Sequence, residues 1–121
     1  MSSPITAPAI WYADPARWPR ERAGVFARNW QFVTHDSALP VPRCWRAETL
    51  AGYPVLVVRG EDGEVRGFHN VCRHRAGPLV RAEQGVCDGT LVCPYHGWRY
   101  ALDGRLRAAR DFGAAADFDP R

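Results

Sequence analysis

Lysine is absent: all sixteen basic residues are arginine, which together with much Ala, Gly and Pro marks a GC-rich bacterial gene rather than a mechanism. No stretch approaches the ~18 consecutive apolar residues that a membrane span requires. Residues 1–14 carry no basic segment followed by an apolar one, so no secretory signal is expected and a cytoplasmic location is the default. Charge of one sign is scarce as well. A net +3 spread along the chain is too small to argue for nucleic acid. What is present is ordinary for one globular domain: 121 residues, 46% hydrophobic and 24% charged, enough to bury roughly two thirds of the unfolded surface around one modest core.

Residues 1–14 are polar and proline-containing and are expected to form a loosely held arm. Asp14-Pro15 offers a helix cap followed by proline at the first helical position. Residues 20–30 place Val25, Phe26 and Trp30 at helical spacing, which predicts a short amphipathic helix packing Phe26 and Trp30 onto a sheet. The texture then changes to short aromatic and β-branched runs broken by Gly, Pro and Asp, the pattern of a small all-β domain. Strands are expected at 31–35, 45–50, 53–59 and 65–71, with Glu61-Asp62-Gly63 as a hairpin turn because Gly and Asp tolerate positive φ. An irregular stretch over 75–89 precedes a strand at 90–93 and a last hairpin of 98–102 and 105–107 around Asp103-Gly104. The tail is acidic and alanine-rich without periodicity, and 113–121 is expected to be disordered.

The chemistry is concentrated in Cys72-Arg73-His74 and Cys93-Pro94-Tyr95-His96. Paired as C-x-H and C-x-x-H, two thiols and two imidazoles form the ligand set of a Rieske 2Fe-2S centre, in which two histidines replace two cysteines on one iron. Each pair ends a predicted strand and enters a loop with Gly or Pro, so neighbouring hairpins bring the pairs together. Alternate residues of C-x-H point the same way from extended backbone, whereas C-x-x-H needs the tight turn that Pro94 and Gly97 favour. Cys72 and Cys93 are the candidate ligands of one iron, His74 and His96 of the other.

Charge explains such a design. Two ferric ions and two sulfides carry two positive charges, which two thiolates neutralise; one added electron then leaves a single negative charge, where four thiolates would leave three. The electron enters the less negative centre more easily. Each imidazole also keeps a second N–H that can release a proton on oxidation. A structural zinc site is an alternative, although zinc-finger spacing groups Cys with Cys and His with His; histidines that are only polar loop residues are another. Cys44 and Cys87 read as small, partly buried thiols in a reducing compartment, with a Cys44–Cys87 disulfide as the alternative. His35 and His69 fall in predicted strands and read as structural.

The runs Asn70-Val71-Cys72-Arg73-His74-Arg75, then Gly77 and Leu79, and Leu91-Val92-Cys93-Pro94-Tyr95-His96-Gly97-Trp98-Arg99-Tyr100 with Leu102-Asp103-Gly104 resemble a known family. It is the Rieske domain of the α (terminal oxygenase) subunits of bacterial aromatic-ring-hydroxylating dioxygenases and related Rieske non-haem iron oxygenases. The resemblance implies an antiparallel β-sandwich with a short N-terminal helix and a two-loop cluster-binding subdomain at about 70–100, inside a domain of residues 15–112. It also implies one 2Fe-2S cluster on Cys72, His74, Cys93 and His96, a ferredoxin or reductase as electron donor, and an oxygenase catalytic domain or subunit as acceptor. Backbone N–H groups around Arg75, Ala76, Tyr95 and Gly97 would donate to sulfur, with Trp98 packed beneath.

In the respiratory-complex type a cysteine follows each ligand loop and the two form a disulfide; the corresponding positions here are Gly77 and Tyr95, which points to the oxygenase-like class. Family members continue into a catalytic domain holding iron on a 2-His-1-carboxylate triad, expected to begin near 113–121. No catalytic residue is assigned within this chain, so electron transfer is the expected role. The runner-up is a free-standing Rieske ferredoxin, against which the α-subunit-like lead-in, 12–30, argues. The oxygenase's substrate is not legible, because substrate contacts in the family come from the catalytic domain.

Overall fold

The computed structural model describes residues 6–110, so the expected disordered tail lies outside the described residues. The chain forms two compact units, 1–32 and 33–121.

In the first unit Ile10–Ala13 (α1) makes one helical turn inside the segment expected to be a loose arm. The Asp14 carboxylate accepts a hydrogen bond from Ala16 N–H at 2.9 Å, and α2, Arg17–Glu21, follows. The helix then widens into a π-turn over Arg22–Phe26. It stops well short of Trp30, the expected end. Gly24 lies within the widened turn and is a poor helix former, and the Asn29 side-chain amide donates to the Val25 carbonyl at 2.8 Å, satisfying one of the end carbonyls. Phe26 packs on Trp18 with ring centroids 5.6 Å apart. Trp30 is fully exposed, so its expected burial is not met.

The second unit carries two antiparallel sheets. β1 (Cys44–Leu50), β2 (Tyr53–Arg59), β3 (Val65–His69) and β4 (Gln84–Val86) form one, in the order β3-β2-β1-β4. The other is β5 (Thr90–Val92), β6 (Arg99–Ala101) and β7 (Leu106–Ala108) in sequence order. Ala51 and Gly52 both have positive φ, the geometry of a two-residue hairpin turn joining β1 to β2. The all-β expectation holds, with two differences. Residues 31–35 form no strand, and both edges of β1 are taken by β2 and β4. β4 itself lies inside the stretch expected to be irregular.

Side chains alternate across the first sheet. Trp45, Leu56 and Val58 face the larger core with Cys72, Leu79, Leu91, Cys93, Trp98 and Tyr100, whereas Cys44 and Val57 face a smaller one with Leu39. Cys44 pairs opposite Val86. Its neighbour Cys87 packs against the other core, which leaves the two thiols on opposite faces and removes the disulfide alternative. Burial pushes the Cys87 thiol up, as befits an inert structural cysteine. Arg59 ties the 36–39 segment down by donating to the Leu39 carbonyl (2.6 Å), the Gly63 carbonyl (2.7 Å) and Asp36.

Gly85 is the reason β4 can lie where it does. It sits opposite Trp45, and a Cβ there would lie 2.6 Å from Trp45 Cζ2. Since Trp45 is buried, Gly85→Ala must displace the indole. The expected cost is about 2 kcal/mol, seen as a lower midpoint in chemical denaturation; an unchanged midpoint would show that β4 yields freely.

Candidate metal centre

Two loops carry the candidate ligands, and their backbones are closed in the same way. Cys72 N–H donates to the Gly77 carbonyl at 2.7 Å, and Ala76 N–H donates to the Cys72 carbonyl at 2.9 Å. In the second loop Cys93 N–H donates to the Trp98 carbonyl at 2.8 Å, and Gly97 N–H to the Cys93 carbonyl at 3.0 Å. The residue four after each cysteine has positive φ, +54° at Ala76 and +72° at Gly97. These N–H groups therefore serve the loop frame, which corrects the expectation that Ala76 and Gly97 donate to sulfur.

Both cysteines lie inside, 2% exposed, as members of the larger core. The histidines sit at the rim, half-buried. Although His74 follows its cysteine by two residues and His96 by three, their rings meet with centroids 4.5 Å apart at 73°. Each ring buries its Nδ1, and that of His96 has no hydrogen-bond partner among the described residues. Trp98 stacks on His74 with centroids 4.9 Å apart and planes within 10°, so it does pack beneath the loop. Tyr95 covers His96 from outside at 3.8 Å.

Two further side chains support the loops. Asn70, 8% exposed, accepts from Leu79 N–H and Val80 N–H, both at 3.0 Å, and donates to the Val80 carbonyl at 2.9 Å. It ties the two ends of the first loop together. Tyr100 places its hydroxyl 3.3 Å from Cys72 Sγ and accepts Arg73 N–H at 3.1 Å. Burial, then the bond to Cys72, pushes that hydroxyl up to about 12, so it keeps its proton.

Among the described residues no three His, Cys, Asp or Glu donors gather as a single-ion site requires. A two-iron cluster asks instead for two donors at each iron. Two buried sulfurs, and two adjacent imidazoles with Nδ1 turned inward, fit that demand in kind and in grouping.

Residues 29–119 match the family model described as the Rieske [2Fe-2S] domain. The chain belongs to the Rieske [2Fe-2S] domain family. This Rieske chain is 42% identical over 106 residues to the large oxygenase component of the naphthalene 1,2-dioxygenase system of Pseudomonas aeruginosa, a match covering 88% of the chain and 23% of that protein. It is 38% identical over 114 residues to the carnitine monooxygenase oxygenase subunit of Escherichia coli (strain K12), covering 94% and 30% respectively. The crystal structure of the apo form of the quaternary ammonium Rieske monooxygenase CntA superposes with a TM-score of 0.89 at 33% identity, over 95% of this chain and 33% of that one. The chain thus spans about a quarter to a third of the relatives' length. The family carries one Rieske-type 2Fe-2S cluster.

A Rieske loop pair without the respiratory cross-link needs another closure. A Cβ on Gly77 would lie 3.9 Å from Tyr95 Cδ1, so the two positions face each other and the tyrosine ring fills the gap. Asn70 and Tyr100 were visible only as letters within the family text. Nothing in their spacing assigns them hydrogen bonds to the first loop, because both bonds arise from tertiary packing.

Tyr100→Phe removes a donor to Cys72 sulfur. A hydrogen bond to sulfur favours the more negative, reduced state; losing a differential of about 1 kcal/mol is expected to lower the potential by about 40 mV. An unchanged potential in spectroelectrochemistry would mean that the hydroxyl does not bond sulfur in the loaded protein. Asn70→Leu strands two N–H groups and one carbonyl, and should cost about 3 kcal/mol in denaturant unfolding.

Proposed function

We propose that this domain carries single electrons within a ring-hydroxylating oxygenase system, taking them from a ferredoxin or reductase and passing them to a mononuclear iron on another domain or chain. Cys72 and Cys93 would hold one iron of the cluster as thiolates, and His74 and His96 the other through Nδ1. The cluster supplies a one-electron couple whose potential is raised by its two neutral ligands. The residues around it do the rest. The core walls off the sulfur side, Tyr100 donates to sulfur, and the paired imidazoles at the rim put the histidine side nearest to a redox partner. A reducing cytoplasm suits the free thiols of Cys44 and Cys87.

The observation that carries this reading is the asymmetry of burial, with both sulfurs inside and both imidazoles together at the surface. The free-standing ferredoxin reading is weaker, because the match to the carnitine monooxygenase oxygenase subunit covers 94% of the chain and so takes in the 12–30 lead-in. Mixing the domain with a reductase and an oxygenase lacking its own Rieske cluster tests the role directly. Restored turnover is expected; its absence, with cluster present and reducible, would count against this acceptor.

Cys72→Ser and Cys93→Ser should each abolish cluster assembly and lower stability, since cluster binding and folding are coupled; iron and labile sulfide analysis reads the first, denaturation the second. His74→Cys or His96→Cys, where a cluster still assembles, adds a negative charge and should lower the potential by on the order of 100 mV or more. A potential that does not move would contradict the ligand assignment.

A further inference from the structure

We propose that a cleft between the ends of the two sheets binds a small apolar monocarboxylate, and that its occupancy makes the cluster harder to reduce. The binding stands on the cleft alone, whereas its effect on reduction rests on the ligand assignment above. The cleft has a volume of about 240 Å³. Two small residues leave it open. Ala101 in β6 and Gly104 in the β6–β7 turn line it with at most a methyl group, and Gly104 cannot be larger, because a Cβ there would lie 2.6 Å from Phe68 Cε1.

Its lining is sorted by depth. Leu79, Leu91, Tyr100 and Ala101 are buried and form the floor, with Phe68 and Val71 half-buried beside them. The one polar side chain of that floor is already engaged: the Tyr100 hydroxyl lies 3.3 Å from Cys72 Sγ and accepts Arg73 N–H at 3.1 Å. His69 and Arg73 stand at the exposed rim, and no Asp or Glu is among the described residues that line the cleft.

An occupant must therefore be apolar where it enters and carry its polar group at the rim. A dry apolar cavity of roughly 150 Å³ already takes benzene, so this volume suits a body of about five to eight carbons. What the rim offers is a fixed cation. Arginine keeps its charge at any working pH and its planar fork matches a carboxylate, whereas an ammonium group would meet like charge. Reduction adds one negative charge to the cluster, and a single tyrosine ring separates the cleft from Cys72 sulfur. A carboxylate held there repels that electron in a poorly screened setting. By reciprocity, the reduced protein holds the carboxylate less tightly.

The test uses the cluster-loaded chain with hexanoate as probe and hexanol and hexylammonium as controls. Calorimetry should give one hexanoate site with a Kd on the order of 0.1–1 mM, the strength open to about eight non-hydrogen atoms. Hexanol should bind about fivefold more weakly, and hexylammonium not measurably. Arg73→Gln should weaken hexanoate about fivefold and leave hexanol unchanged. Ala101→Leu fills the cleft and should abolish binding of both; should that variant fail to fold, Arg73→Gln still decides. In spectroelectrochemistry saturating hexanoate should lower the potential by about 28 mV, which is about threefold weaker binding to the reduced state at 59 mV per tenfold. No saturable binding, equal affinity for hexylammonium, hexanol bound as tightly as hexanoate, Arg73→Gln without effect, or an unmoved potential at saturation overturns the proposal and leaves the electron-transfer reading standing. A chain that assembles no reducible cluster overturns that reading and the coupling with it.

Discussion

Two pairs of backbone hydrogen bonds hold this site together. In each loop the cysteine N–H reaches the carbonyl five residues on, and the N–H four residues on returns to the cysteine carbonyl. Without that double closure neither histidine would turn back toward the other loop. The left-handed residue this closure requires is glycine in one loop and alanine in the other, so the first loop carries backbone strain that the second avoids. Asn70 offsets some of it by fastening the residues that precede and follow the first loop.

The same frame sorts the donors by environment. The sulfurs fall into a core shared with Trp45, Leu56 and Val58, where low polarity strengthens the Tyr100 hydroxyl's bond to Cys72. The imidazoles fall at the rim, fixed by Trp98 on one side and Tyr95 on the other. Core formation and site formation are consequently one event, because the two cysteines are themselves core residues. The cross-link used in the respiratory type is replaced by contact between Tyr95 and the space over Gly77.

The parts of this architecture legible in the sequence were those encoded locally. Alternation and turn residues located β1, β2, β3 and the last hairpin within a residue or two, and the C-x-H and C-x-x-H spacing named all four candidate ligands. β4 escaped because Gln84-Gly85-Val86 has no strand signal of its own; it exists because Trp45 needs a neighbour without a side chain. Residues 31–35 had the composition of a strand, but β1's edges are both occupied. The N-terminal helix was located but overextended, since Gly24 and the Asn29 side chain end it early. Asn70 and Tyr100 act through contacts that span ten and twenty-eight residues, beyond any local pattern.

The central claim is that two histidines, and not four cysteines or a single-ion site, complete the cluster. Pulsed EPR of the reduced protein tests it most directly, through the magnetic coupling of ligand nitrogens to the cluster spin. The expected result is a reduced signal of low average g carrying two directly bound histidine nitrogens. A reduced cluster with no bound nitrogen, or a colourless protein holding one zinc and giving no signal, would contradict the account.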